Sequence, residues 1–311
     1  MSPVINVKHI SKNYREIKAL DDLSFSVPPG KIYGFLGQNG AGKSTAIRIL
    51  LTLIEPSSGE VEIFGMDLKK YRMQILRKIG AIVERPDLYK FLTAKENLRI
   101  FAAMSAIRIS EKQIMDQLEQ VGLAERANGK VKTYSQGMKQ RLGIAVALIN
   151  DPELIILDEP MNGLDPQGIA DVRNLILHLS REMGKTVFVS SHLLGEMELI
   201  ADYMLIIDKG KKVVEGPVSD LFDPAETMVD LETTNADETY ERLRQTHLKD
   251  LVFNKRDNHI LFRLHRNKVP AVIKELVQMD VQIMSLYSRH SLEDLFLSLT
   301  TENQHVETFK N

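Results

Sequence analysis

The sequence predicts an α/β protein with a mostly parallel sheet, a helical subdomain in its middle and a small α+β domain at its C-terminal end. Three observations predict it. First, short apolar runs such as Ile32–Leu36, Leu154–Leu157, Thr186–Ser190 and Tyr203–Ile207 alternate with helical stretches; strands covered on both faces read as such unbroken runs, and the alternation implies parallel crossovers. Second, the stretch from Thr93 to Leu123 is helical, opening on Thr93 with Glu96 three positions on, the pattern of a capping box. Third, the tail from Thr227 alternates strands and helices in the order of a ferredoxin-like domain.

Taken in order, Val4, Ile5, Val7 and then Leu23, Phe25, Val27 alternate as β-strands do, and Pro28-Pro29-Gly30 turns the chain into the strand ending at Leu36. A glycine-rich loop follows, then a helix over Ser44–Leu53, a turn at Pro56–Gly59 and a strand over Glu60–Phe64. Another strand is expected at Ile79–Val83, and a helix with apolar residues at helical spacing at Glu111–Val121. The tail reads strand Met228–Leu231, helix Asp237–Gln245, strand Asp250–Asn254, strand His259–Leu264, helix Val269–Met279, strand Val281–Tyr287 and helix Leu292–Leu299.

A chain of 311 residues is long for one core and comfortable for two. We expect a large domain over 1–222, with the helical subdomain at about 90–150, and an accessory domain over 226–311; Pro217–Pro224 marks the boundary. The tail either stabilises or dimerises the protein, or senses a ligand.

Hydrophobic residues make up 43% and charged residues 26%, the composition of a chain that folds. Because 40 basic residues face 42 acidic ones, for a net charge of −2, no global field recruits nucleic acid, and no nucleic-acid partner is expected. The absence of cysteine excludes disulfides, thiolate metal sites and cysteine nucleophiles, and fits the cytoplasm. No apolar stretch approaches the roughly 20 residues of a membrane helix, and Met1–Ile10 lacks the layout of a secretion signal.

The chemistry begins at Gly37-Gln38-Asn39-Gly40-Ala41-Gly42-Lys43-Ser44-Thr45, which matches the phosphate-loop pattern between a strand and a helix. Gly37, Gly40 and Gly42 let backbone N–H groups of the loop, which also holds Asn39, turn inward around phosphate oxygens, and the helix N-terminus at Ser44 and Thr45 adds its partial positive charge. Lys43 reaches the β- and γ-phosphates, and Ser44 offers its hydroxyl to Mg²⁺. Leu154–Leu157 ends in Asp158-Glu159-Pro160, two carboxylates at the ligand edge of a parallel sheet. Asp158 suits Mg²⁺ through water, and Glu159 is placed to act as general base on the attacking water; a solvated strand end is the plain alternative for the pair.

Ser135-Gln136-Gly137-Met138-Lys139-Gln140-Arg141, ahead of a helix, resembles the signature motif of ATP-binding cassette proteins. Asn162-Gly163-Leu164-Asp165-Pro166 looks like that family's D-loop, and Ser190-Ser191-His192 looks like its switch histidine. The resemblance covers about Val4–Gly216 and implies a P-loop NTPase cassette that binds ATP with Mg²⁺ and closes head to tail with a second cassette, an identical copy. Each site would draw Lys43, Ser44, Glu84, Asp158, Glu159 and His192 from one copy and Ser135 and Gly137 from the other. The implied catalytic groups are Glu159, His192 and Lys43; the implied metal ligands are Ser44, Glu84 and Asp158; Tyr14 matches the aromatic that stacks on adenine. By the same resemblance the chain is a peripheral subunit at the cytoplasmic face, driving a separately encoded membrane permease.

Three positions depart from the family pattern: Glu84 stands for the usual glutamine, Gln136 for glycine and Met161 for threonine. The acidic variant at 84 recurs in cassettes of bacitracin and lantibiotic exporters, and the stretch Tyr287–Phe296 looks like the ending of exporter cassettes in the bacitracin and drug-resistance branch. Export of an antimicrobial peptide or drug is therefore expected. A soluble cassette clamping ribosomes or DNA is the alternative; such proteins usually carry two cassettes or long coiled coils, and this chain has one cassette and no heptad run. A non-hydrolysing cassette would need a defect, yet Lys43 and Glu159 are both present.

Overall fold

The apolar runs ending at Leu36, Asp158 and Ser191 pair side by side in one parallel sheet. The computed structural model describes residues 2–221 and 226–289, and the chain divides into two units, Met1–Val218 and Ser219–Asn311.

In the first unit the elements are β1 (Ile5–Tyr14), β2 (Ile17–Val27), β3 (Ile32–Leu36), α1 (Lys43–Leu50), β4 (Ser58–Ile63), β5 (Met66–Asp67), α2 (Arg72–Leu76), β6 (Ile79–Ile82), α3 (Ala94–Met104), α4 (Glu111–Gln120), α5 (Gln136–Ala147), β7 (Leu154–Asp158), α6 (Pro166–Arg181), β8 (Thr186–Ser191), α7 (Leu194–Glu198), β9 (Tyr203–Asp208) and β10 (Lys211–Pro217). A six-stranded sheet runs in the order β10-β9-β3-β8-β7-β6, parallel except for the β9–β10 hairpin. A second sheet, β2-β1-β4-β5, is antiparallel throughout. The expectation of a mostly parallel sheet thus describes the central sheet, while the N-terminal strands form a separate layer.

Aromatic packing joins the two layers. Phe25 of β2 lies over Phe35 of β3, with ring centroids 5.8 Å apart, and Phe188 of β8 lies 5.3 Å from Phe35. Tyr33, Phe35 and Phe188 are fully buried, and each such side chain contributes roughly 1.5–3 kcal/mol through burial.

The helical subdomain depends on its caps. Thr93 Oγ1 accepts from Glu96 N and Thr93 N donates to Glu96 Oε2, so the expected capping box forms at α3. Ser110 and Gln113 repeat it at α4. Each cap stabilises its helix by about 1 kcal/mol. At α1 the helix stops at Leu50, short of the expected Leu53, and Thr52 takes a left-handed φ of 56°.

The second unit contains β11 (Glu226–Thr233), α9 (Ala236–Arg244), β12 (Val252–Arg256), β13 (His259–His265), α10 (Val269–Gln278) and β14 (Ile283–Arg289); a short α8 (Val218–Leu221) precedes it at the division. Its sheet runs β12-β13-β11-β14 with every pairing antiparallel, the arrangement of a ferredoxin-like domain. Val229, Leu231, Ile260, Phe262, Leu243 and Leu276 fill the core. A 3₁₀ turn at His247–Leu251 delays the expected strand, which begins at Val252. The helix expected at Leu292–Leu299 lies outside the described residues.

Candidate functional site

The strand ends of the parallel sheet stand level with one another, because Leu36 pairs with Ser191 and Asp158 with Ser190. The glycine-rich loop after β3, the acidic pair closing β7 and His192 after β8 therefore share one edge, where ligands bind in open α/β sheets. At Gly42, φ is +108° and an added Cβ would lie 2.6 Å from Ala19 O, so β2 presses on the loop where only glycine fits.

Lys43 is 6% exposed and donates to Gly37 O at 2.7 Å and Gln38 O at 3.2 Å. Its ammonium also lies 3.1 Å from Glu159 Oε1. That contact is an ion pair by distance, but its angles leave Oε1 without an aligned hydrogen-bond donor. Glu159 sits at a left-handed φ of 49°, a conformation that costs about 1–3 kcal/mol and concentrates at functional sites.

The other oxygen of Glu159 faces His192. Oε2 lies 2.7 Å from Nδ1 and accepts the His192 backbone N–H at 3.3 Å. A carboxylate can only accept, so Nδ1 carries the proton. Ser190, whose own role the sequence left unassigned, ties the pair together: its hydroxyl donates to Asp158 Oδ1 at 2.6 Å and accepts from Glu159 N at 2.9 Å. A buried serine at the end of an apolar strand, two residues before a candidate histidine, is the signal that marks it.

Asp158 Oδ2 is buried and has no hydrogen-bond partner, an expensive state for a carboxylate oxygen unless a ligand meets it. This donor, with the Ser44 hydroxyl in the first turn of α1, fits a hard cation such as Mg²⁺. Among the described residues no group of three or more His, Asp or Glu side chains gathers to hold a metal by itself, so nucleotide oxygens would have to complete the coordination. Thr45 continues the same helical turn, and Gln38, Asn39 and Gly40 are exposed.

Other candidates stand apart from this cluster. Glu84, at φ 61°, pairs through Oε1 with Arg48 Nη2 at 2.6 Å on an exposed surface. The segment following it is anchored twice: Asn97, fully buried, accepts from Tyr89 N and donates to Tyr89 O, and Pro86 abuts Gly143 of α5. Ser135 is exposed at the N-cap of α5, where its hydroxyl accepts from Met138 N, and Gly137 is buried against Gly168. Tyr14 closes β1 opposite Ile17, 42% exposed, with Lys12 Nζ 5.2 Å from its ring. Chemically, the clustered groups can hold a polyphosphate at Lys43 and the loop amides and polarise a water at Glu159.

The family model described as ABC transporter matches residues 20–162. An uncharacterized ABC transporter ATP-binding protein of Bacillus subtilis, YhcH, is 42% identical over 98% of both chains. The chain belongs to the ATP-binding subunits of ABC transporters. The bacitracin transport ATP-binding protein BcrA of Bacillus licheniformis is 42% identical to this ABC subunit, over 96% of this chain and 98% of that one. Among solved structures, a dimeric post-hydrolysis ATP-binding cassette bound to ADP and Pi is 28% identical, with a TM-score of 0.61 over 69% of this chain and 98% of that one. The ABC subunit binds and hydrolyses ATP. Among its described residues no helix is long and apolar enough to cross a membrane.

Proposed function

We propose that this chain drives a separately encoded membrane permease that exports an antimicrobial peptide or drug. The observation that carries hydrolysis is the Glu159 carboxylate, set between the Lys43 ammonium and the His192 ring at the edge of the sheet. Support for the cargo class comes from the bacitracin transport relative, whose 42% identity runs along 96% of the chain and so takes in the second unit as well as the cassette.

In this reading the loop amides and Lys43 bind the β- and γ-phosphates, and Glu159 takes the proton of the attacking water while His192 fixes its carboxylate. Mg²⁺, held by Ser44 and Asp158, would neutralise charge on the phosphates; Glu84 would join it only by leaving Arg48, its ion-pair partner. Tyr14 stacks on the adenine. Two identical copies close head to tail, Ser135 and Gly137 of each facing the nucleotide of the other; a serine hydroxyl at a helix N-terminus makes an anion cup that gains meaning only opposite a γ-phosphate. The subunit works at the cytoplasmic face and contacts its permease through the Glu84–Tyr89 segment, where Tyr89 is exposed, as is Phe91 two residues beyond it. Residues 226–311 form an accessory domain.

The test is to tag the chain in its native cell, extract with mild detergent and identify what co-purifies by mass spectrometry. A membrane protein with several spanning helices is expected, together with higher susceptibility to a bacitracin- or lantibiotic-type peptide on deletion. Recovery of ribosomal or DNA-repair proteins with no membrane protein would overturn the transport reading.

A further inference from the structure

The helices that begin at the signature motif and after the D-loop are neighbours, and they touch at two levels. At their N-terminal ends a Cβ on Gly137 of α5 would lie 3.3 Å from Gly168 Cα of α6, so backbone meets backbone. Further along, Arg141 Nη2 of α5 lies 3.4 Å from Asp171 Oδ2 of α6. The other oxygen of Asp171 accepts from Gln167 Nε2 at 2.8 Å, which holds the carboxylate toward the arginine.

The same guanidinium reaches a third element. Its Nη1 donates to Val121 O at 2.9 Å and Gly122 O at 3.2 Å, just past the C-terminal end of α4, where carbonyls lack helical partners and favour a cation. Gly122 has φ +66°, and a Cβ there would come within 2.8 Å of Nη1, so the backbone leaves room for the guanidinium. Arg141 Nε is buried without a partner, a cost that a shorter apolar side chain would avoid. What arginine adds is a rigid planar fork that grips two elements at once.

We propose that Asp171 is a positioning residue that, through Arg141, locks the helix carrying Ser135 to the helix that follows the Asn162–Asp165 turn. The two partner-facing motifs then meet a second cassette as one body. Asp171 touches none of the groups assigned to nucleotide, and its effect is geometric: displacement of a catalytic group by about 1 Å can cost up to a hundredfold in rate. The inference rests on the dimer reading above.

The experiment uses the purified full chain with Asp171→Ala and Asp171→Glu, each made in the active protein and in a Glu159→Gln background. ATP-dependent dimerisation is followed by light scattering, kcat by phosphate release, and monomer affinity with a fluorescent ATP analogue at low protein concentration. Asp171→Ala should weaken dimerisation and lower kcat about fivefold, with monomer nucleotide affinity within about twofold of the parent, and Asp171→Glu should recover most of the loss. Unchanged dimerisation and kcat in Asp171→Ala would overturn the proposal, as would an equal loss of monomer nucleotide affinity, the mark of a general structural defect. If the Glu159→Gln parent itself stays monomeric with ATP, the dimer reading fails and takes the proposal with it; a parent that dimerises beside an Asp171→Ala variant that does so equally well sinks the lock alone.

Discussion

His192 Nδ1 lies 2.7 Å from Glu159 Oε2, and the same oxygen accepts the His192 backbone N–H at 3.3 Å. A ring and a backbone amide meeting one carboxylate oxygen fix the orientation of both side chains. The second oxygen of that carboxylate is left to Lys43.

Replacing His192 with alanine should therefore leave Glu159 misoriented rather than absent. Phosphate release is expected to fall by about a hundredfold, the lower range for loss of acid–base support. A fluorescent ATP analogue titrated against the same variant should bind within a few-fold of the parent, because His192 has no hydrogen bond to the phosphate loop.

Lys43→Ala should act on binding and on stability together. The substitution strips donors from Gly37 O and Gln38 O and leaves Glu159, 17% exposed, without its ion-pair partner. Breaking a pair this buried costs on the order of 3 kcal/mol, less whatever water recovers at Glu159. Nucleotide affinity should drop by at least about tenfold, and the urea midpoint should fall; an unchanged midpoint would mean the ion pair does not contribute.

Gly143→Ala tests the anchoring of the segment assigned to the permease. Alanine is favoured over glycine within a helix by about 1 kcal/mol, yet its Cβ would lie 2.4 Å from Pro86 Cβ, so something must move. Displacement of Pro86 should loosen Tyr89 N from Asn97 Oδ1, normally 2.8 Å away. Hydrogen exchange at the Asp87–Tyr89 amides should accelerate by about tenfold or more while α5 itself stays protected.

A pH effect follows from Tyr33. Burial, with Glu215 beside it, raises the phenol well above its ordinary value of 10.0. The folded state thus keeps the proton where the unfolded state begins to lose it. The stabilisation is complete below about pH 10 and declines as pH rises past it. Ultraviolet titration should find one phenolate signal that develops only with unfolding, and Tyr33→Phe should remove it.

The candidate cluster was legible in the sequence because each of its parts ends an apolar run: Leu36 leads to the phosphate loop, Leu157 to Asp158 and Glu159, and Val189 to Ser190 and His192. Parallel strands in register bring such ends together, so local pattern and tertiary position agree. The cap at Thr93 was equally local, since a capping bond spans only three residues.

What the pattern did not carry is pairing between distant residues. Nothing near β1 in sequence announces that it pairs with β4 as well as β2. The Arg48–Glu84 pair joins residues far apart in the chain, as do Arg141 and Asp171. Side-chain competition for backbone shifted boundaries: Thr246 Oγ1 accepts from Leu248 N, and the resulting 3₁₀ turn begins β12 two residues later than its apolar pattern suggests.

The proposed hydrolysis turns on Glu159 as the base that activates water, and the most direct test is ATP turnover by the purified Glu159→Gln chain, measured as phosphate release. Glutamine keeps the shape of the side chain but cannot accept the proton. Turnover should fall by at least about a hundredfold with ATP still bound, and an ATP-dependent dimer should persist. Turnover equal to that of the parent chain would contradict it.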